Sequence, residues 1–179
     1  MKVLAKYRQS KTRKWLKNSL HIDIGSGIYP MPNSLTFDIE IKKSPDIVAN
    51  ALNIPLQDHS VSTITALEIF EHFHREDQLK FLSECERILE KKGRLIISIP
   101  NYSGYGLNLF QNLIWFIREH TTQSEYLHGK SHTHIGNITP RELRSLLTKL
   151  GFRILHSQRI ALYDFLIIAE NTALITLTI

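Results

Sequence analysis

Cysteine is nearly absent: Cys85 stands alone in 179 residues. One thiol excludes an internal disulfide framework and any cysteine-built zinc site within the chain, and it fits a reducing compartment. No run approaches the ~18 consecutive apolar residues that a membrane-spanning helix needs. The start of the chain has no apolar core of the signal-peptide kind, so a cytoplasmic location is expected. Internal repeats and low-complexity stretches are also missing. Acidic residues are missing from one place only. Residues 1–20 contain Lys2, Lys6, Arg8, Lys11, Arg13, Lys14 and Lys17 and no Asp or Glu. All 17 acids therefore lie beyond it, and the net charge of +5 belongs to the N-terminal segment rather than to the body. A basic segment of this kind, 1–17, could track nucleic-acid phosphates or an anionic membrane surface. The competing expectation is a helix packed on the body through Val3, Leu4, Tyr7, Trp15 and Leu16. The division expected is a basic helical arm over 1–19 and a single domain over 20–179.

What is present centres on residues 20–40. Leu20, Ile22 and Ile24 read as a short buried strand that runs into Gly25-Ser26-Gly27. Glycines at a strand end let the backbone turn and approach a ligand without a Cβ in the way. Asp23 lies two positions before the first glycine. A second apolar run, Ser34 to Phe37, ends on Asp38, where a carboxylate can accept both hydroxyl hydrogens of a ribose. Together these describe a nucleoside pocket at the carboxyl edge of a parallel sheet. The dinucleotide fingerprint Gly-x-Gly-x-x-Gly would need a third glycine where Pro30 stands, which disfavours a nicotinamide enzyme.

Farther on, residues 44–50 read as a third short strand followed by Asn50-Ala51-Leu52. Ile54-Pro55-Leu56 and Val61 to Leu67 lead to Glu68-Ile-Phe-Glu71-His72. A helix is expected over 76–90, with Leu79, Leu82, Cys85 or Glu86, and Leu89 inward and Gly93 as its stop. Arg94 to Pro100 reads as a buried strand. Thr139-Pro140-Arg-Glu142 opens a helix with Leu143, Leu146, Leu147 and Leu150 on its buried face and Gly151 at its end. Two strands, 152–160 and 162–169, follow. Only seven residues, two of them Pro30 and Pro32, separate the glycine loop from the second strand. A parallel crossover usually takes a dozen or more, so the first crossover helix is shortened or absent.

The order of these motifs over residues 20–170 resembles class I S-adenosylmethionine-dependent methyltransferases, and in particular the small-molecule type-11-like methyltransferase domain. The Asp23-x-Gly25-x-Gly27 segment, the Glu71-His72 pair after the fourth strand, and the closing helix–Gly151-Phe152–strand–strand are similar to that family. The resemblance implies an α/β, Rossmann-like three-layer sandwich. Its sheet would have seven mostly parallel strands in the order 3-2-1-4-5-7-6, with strand 7 antiparallel. It implies S-adenosylmethionine as cofactor, held by Asp23, Gly25, Ser26, Gly27, Asp38, Ile39, Asn50, Ala51, Leu52 and Leu67. In this place many members have an acid for the adenine amino group, and Asn50 can still accept that hydrogen bond. The implied reaction is direct in-line methyl transfer to a small molecule, with S-adenosylhomocysteine as product.

Candidate bases are His72 and His134. The three histidines His128, His132 and His134 suggest a metal only in part, since no fourth ligand is evident; no metal is expected. Neither the Asn/Asp-Pro-Pro-aromatic motif of DNA amino-methylation nor the Pro-Cys of cytosine carbon-5 methylation is present. A cofactor-binding but inactive partner subunit is the alternative reading. The apolar segment Leu107 to Ile117 is expected to form a lid over the acceptor pocket or a homodimer contact.

Overall fold

The computed structural model describes residues 2–100, 138–160 and 164–172. His128, His132 and His134, together with the 107–117 segment expected to be a lid or dimer contact, lie outside the described residues. Seven strands form one sheet: β1 (His21–Ile24), β2 (Leu35–Asp38), β3 (Ile47–Val48), β4 (Val61–Leu67), β5 (Leu89–Pro100), β6 (Phe152–Ile160) and β7 (Asp164–Asn171). Their order is β3-β2-β1-β4-β5-β7-β6. β7 runs antiparallel to both its neighbours and the other pairings are parallel. This is the order implied above. β3 is shorter than the sequence suggests, only two residues, pinned at the edge where Asp46 accepts from the Thr36 amide and hydroxyl.

The central strands are buried on both faces, so they read as continuous apolar or hydroxyl-bearing runs rather than alternating ones. Six of seven β4 residues are buried, including Ser62, Thr63 and Thr65. Their hydroxyls are paired: Ser62 donates to the Leu20 carbonyl at 2.8 Å, and Thr65 donates to Asp23 Oδ1 at 2.5 Å. Alternate residues of β5 and β7 feed opposite faces. Leu95, Ile97, Ile99, Ile167 and Ala169 join a core with Phe81, Leu82, Cys85, Leu143 and Leu147. Ile96, Leu166 and Ile168 meet Trp15 and Leu16 on the other side.

Helix α2 (Arg75–Ile88) buries Gln78, Phe81, Leu82, Cys85 and Ile88. Leu79, expected inward, is 46% exposed. Nor does Gly93 stop this helix. The chain turns extended at Leu89 and enters β5 directly. The left-handed residue is Lys92 (φ 63°), and Gly93 is required for closeness, since a Cβ there would lie 2.8 Å from the Glu90 carbonyl. Helix α3 (Pro140–Lys149) begins as its sequence indicates. Thr139 and Glu142 form a reciprocal capping box, Leu143 and Leu147 are buried, and Gly151 (φ 81°) follows the end.

Helix α1 (Lys2–Thr12) continues into a short 3₁₀ turn, Arg13–Trp15. It packs on the body, but not through Val3 or Tyr7. Val3 is 83% exposed and Tyr7 is 40% exposed, whereas Gln9 and Thr12 are buried. The surface beneath α1 is made of carbonyls and carboxylates, and a polar face is what fits it. Of the expected set, Trp15 and Leu16 do reach the core, and Trp15 stacks on His156 with ring centroids 5.2 Å apart.

Candidate functional site

β1 ends on Ile24 and the chain turns at once through Gly25 (φ 66°) and Gly27 (φ 56°). The Gly25 and Ser26 amides both donate to the Phe37 carbonyl, at 2.8 and 3.1 Å, fastening the loop to the tip of β2. One residue on, the buried Asp38 carboxylate takes the Gly27 amide on Oδ2 and the Glu40 amide on Oδ1, each at 2.9 Å. Lys43 Nζ stands 3.8 Å from Asp38 Oδ2. A Cβ on Gly27 would meet only the Gly25 carbonyl, at 3.9 Å, so the backbone here borders open space.

No helix occurs in the connection of residues 25–34, which consists of turns. Asp23 explains how so short a crossover is held. Its Oδ2 accepts the Met31 amide at 2.8 Å while Oδ1 takes the Thr65 hydroxyl. Asp23 is buried beneath the loop rather than on its open side. Burial pushes its carboxyl up to about 6, against the pull of the Thr65 and Met31 hydrogen bonds and with some repulsion from Asp38. His21, 3.0 Å from Thr65 through Nε2, is pulled down by burial to about 4.

These two shifts oppose each other. A carboxyl whose folded value lies above its unfolded one carries no cost below about pH 4 and a growing cost as pH rises through about 6. A histidine with a lowered folded value carries no cost above about pH 6.5 and a growing cost as pH falls to about 4. Asp23→Asn removes only the first slope. Its stability should therefore climb by about 2–3 kcal/mol from pH 4 to 6.5 relative to the parent. Urea unfolding at both ends of that window checks this, and parallel profiles for variant and parent would contradict it.

Above the loop lies a cavity of about 230 Å³ bordered by Ala5, Arg8 and Gln9 of α1, Gly25 to Tyr29, Lys43, Leu67 and Glu68. Gly25, Ser26, Gly27 and Leu67 of the sequence-derived set thus share one cavity. Asp38 and the exposed Ile39 stand at the tip of β2 beside it. Asn50, Ala51 and Leu52 follow β3 as a turn in which Asn50 Oδ1 accepts the Leu52 amide at 2.9 Å. His72 is half-buried in the 3₁₀ turn Phe70–His72 after β4. Among the described residues, no group of three His, Cys, Asp or Glu is placed to hold a metal ion.

Sequence reasoning missed a second polar centre at the same edge. Arg8 Nε donates to Asp164 Oδ2 at 2.6 Å, and its Nη2 donates to Glu68 Oε2 at 3.0 Å. Ser98 Oγ donates to Glu68 Oε1 at 2.8 Å. Burial pushes Glu68 up to about 7, against the attraction of Arg8. Glu71, also buried, is raised well above the ordinary carboxyl range by burial and then by repulsion from Glu68. Glu68 has a left-handed backbone (φ 59°). Glu68 and Glu71 lie inside a motif already singled out. Arg8 and Asp164 are far away in the chain and carry no local signal.

A seven-stranded sheet of this order, with a glycine turn after β1 and an acid at the tip of β2, defines the class I methyltransferase architecture. Residues 11–97 match the family described as a methyltransferase domain. A probable S-adenosylmethionine-dependent methyltransferase of Mycobacterium tuberculosis is 40% identical over 53 residues, covering 30% of this chain and 19% of that protein. The chain thus matches about a fifth of the length of this curated relative.

Among solved structures, an S-adenosylmethionine-dependent methyltransferase of Thermotoga maritima, a possible histamine N-methyltransferase, superposes with a TM-score of 0.67. It is 17% identical, over 93% of this chain and 89% of that one. The magnesium protoporphyrin IX methyltransferase of Synechocystis, solved with bound SAH, gives 0.67 at 14% identity, over 95% and 83%. At these identities the structures attest the fold. The sequence match over residues 11–97 is to a methyltransferase domain, and the fold is shared with these methyltransferase structures.

Proposed function

We propose that this protein is a methyltransferase that binds S-adenosylmethionine along the carboxyl edge of β1, β2 and β3 and methylates a small-molecule acceptor. The observation that carries the reading is the Asp38–Gly27 unit. Two left-handed glycines make the turn, Gly27 borders open space, and a buried carboxylate at the next strand tip is held in place by two backbone amides. The residues fit the group. Each Asp38 oxygen keeps a lone pair beyond the one its amide uses, enough for two ribose hydroxyls. Gly25 to Gly27 let the main chain approach the amino-acid part, the Asn50 to Leu52 turn receives the adenine, and Leu67 closes the apolar side.

When bound, the cofactor supplies a sulfonium methyl for in-line displacement; the protein's part is alignment and exclusion of water. His72, on the turn after β4, is the described residue proposed to take a proton from the acceptor. His134 is proposed for the same task from its place in the sequence. Glu68 and Arg8, which border the cavity, set its charge. The names of the relatives include small-molecule methyltransferases, which supports an acceptor of that size.

Calorimetric titration with S-adenosylhomocysteine tests the placement. Asp38→Ala should weaken binding by about 1.5–3 kcal/mol, roughly ten- to a hundredfold. Asp38→Asn, which still accepts from a loop amide, should fall between variant and parent. Unchanged affinity in Asp38→Ala removes Asp38 from the site.

A further inference from the structure

Helix α1 has two unlike sides. Arg8, Gln9 and Thr12 face the body, through Asp164 and Glu68, through the Tyr29 and Pro30 carbonyls, and through Met31. Lys2, Val3, Lys6, Tyr7 and Ser10 are exposed. Val3 and Tyr7 are one turn apart and share a stripe, with Lys2 and Lys6 beside it. The glycine-loop extension is fastened to α1 by the two bonds that Gln9 donates to Tyr29 and Pro30. There Ile28 is 62% exposed and Tyr29 is 38% exposed. Arg13 and Lys14 are exposed at the far end of the helix.

Aliphatic and tyrosine side chains are therefore held in solvent among bases, in a segment with no acid in its first 20 residues. The fold does not require this: α1 is already anchored by its polar side, and Val3 and Ile28 contribute nothing to that anchorage. A partner must satisfy two chemistries at once. A sugar–phosphate surface pairs with lysines and offers nothing to Val3 or Ile28. An anionic bilayer meets both. Its headgroups neutralise the bases, the acyl boundary receives the aliphatic side chains, and tyrosines favour the boundary between them.

We propose that the outer face of α1, with Ile28 and Tyr29, is a docking surface for an anionic lipid bilayer. The same helix borders the cavity through Ala5, Arg8 and Gln9, so docking sets the mouth of the cleft beside the membrane surface. The surface stands independently of which reaction the cleft performs.

The test is flotation of the full chain with vesicles of phosphatidylcholine containing phosphatidylglycerol, against phosphatidylcholine alone. The expected result is partition onto the anionic vesicles, reduced by salt, and at least tenfold weaker onto the neutral ones. Lys2→Gln and Lys6→Gln should each lower partition about fivefold. The double variant Val3→Ser/Ile28→Ser leaves every charge in place and should lower it about tenfold. These side chains are exposed, so the unfolding midpoint should not move, and the loss is not one of folding. Absence of binding overturns the proposal, as does equal binding to both vesicles. So does binding that responds to the lysine variants but not to the serine pair, which leaves charge alone. Tighter binding to duplex DNA or RNA, indifferent to the serine pair, replaces the bilayer with nucleic acid.

Discussion

Gly25→Val is expected to lose about 3–5 kcal/mol of stability, and with it all measurable cofactor binding. Two costs combine. Gly25 has φ 66°, a left-handed conformation that costs an L-residue about 1–2 kcal/mol and a β-branched one at least that. A Cβ at this position would also meet Ile69, whose Cβ and Cγ1 lie 2.9 Å away and whose Cδ1 is closer still. Overpacking of this kind costs about 1–3 kcal/mol. The clash is with the turn after β4. For a chain of this length the combined loss corresponds to roughly 10 °C in midpoint.

Gly27→Ala is the internal control. It has a similar φ of 56°, but its Cβ would find nothing nearer than 3.9 Å. It should lose only about 1–2 kcal/mol. Thermal unfolding of the two variants side by side measures the difference. Equal midpoints would mean that Ile69 gives way and that the contact between the glycine turn and the β4 turn is soft.

The contrast between these two glycines shows where local sequence is informative and where it is not. Features governed by neighbouring residues were legible. The capping box of Thr139 and Glu142, the helix end at Gly151 and the missing first crossover helix follow from short patterns and their spacing, and the strand order is the one that the family resemblance implied. Features governed by what lies across the fold were not. Leu79 has the right periodicity for a core position, yet Gln78, Phe81 and Ile88 take the buried face beside Leu82 and Cys85. Val3 and Tyr7 read as inward residues, but the surface that receives α1 is polar and selects Arg8 and Gln9. Asp23 stands out in the sequence beside the glycines, but its partners beneath the loop do not: Thr65 is 42 positions away and Met31 is 8. The second polar centre was least legible, because Arg8 meets Glu68 and Asp164 across 60 and 156 positions.

Because of those separations, one side chain ties three parts of the chain together, and its removal should be felt throughout. Arg8→Met keeps much of the aliphatic stem and deletes the charge. It leaves Asp164, with a side chain only 3% exposed, and Glu68, 21% exposed, facing each other without a cation. Breaking a buried pair by removing one partner costs about 3–5 kcal/mol; the partial exposure of Glu68 favours the lower end, about 3 kcal/mol. The loss must depend on pH, and its sign is determined. Glu68 already has a raised folded value near 7, and removing Arg8 takes away an attraction that lowers it. A carboxyl whose folded value rises further carries its cost at pH values above its unfolded one, and that cost increases until pH exceeds the folded value. Arg8→Met should therefore fall progressively further behind the parent as pH rises from 4 to 8. Adding Asp164→Asn to Arg8→Met should restore part of the loss at pH 8, since it removes one of the two uncompensated charges. Urea unfolding at pH 4, 6 and 8 tests both statements. A deficit that is constant across that range would mean that Arg8 acts by packing alone, and that the carboxylates at the ends of β4 and β7 do not depend on its charge.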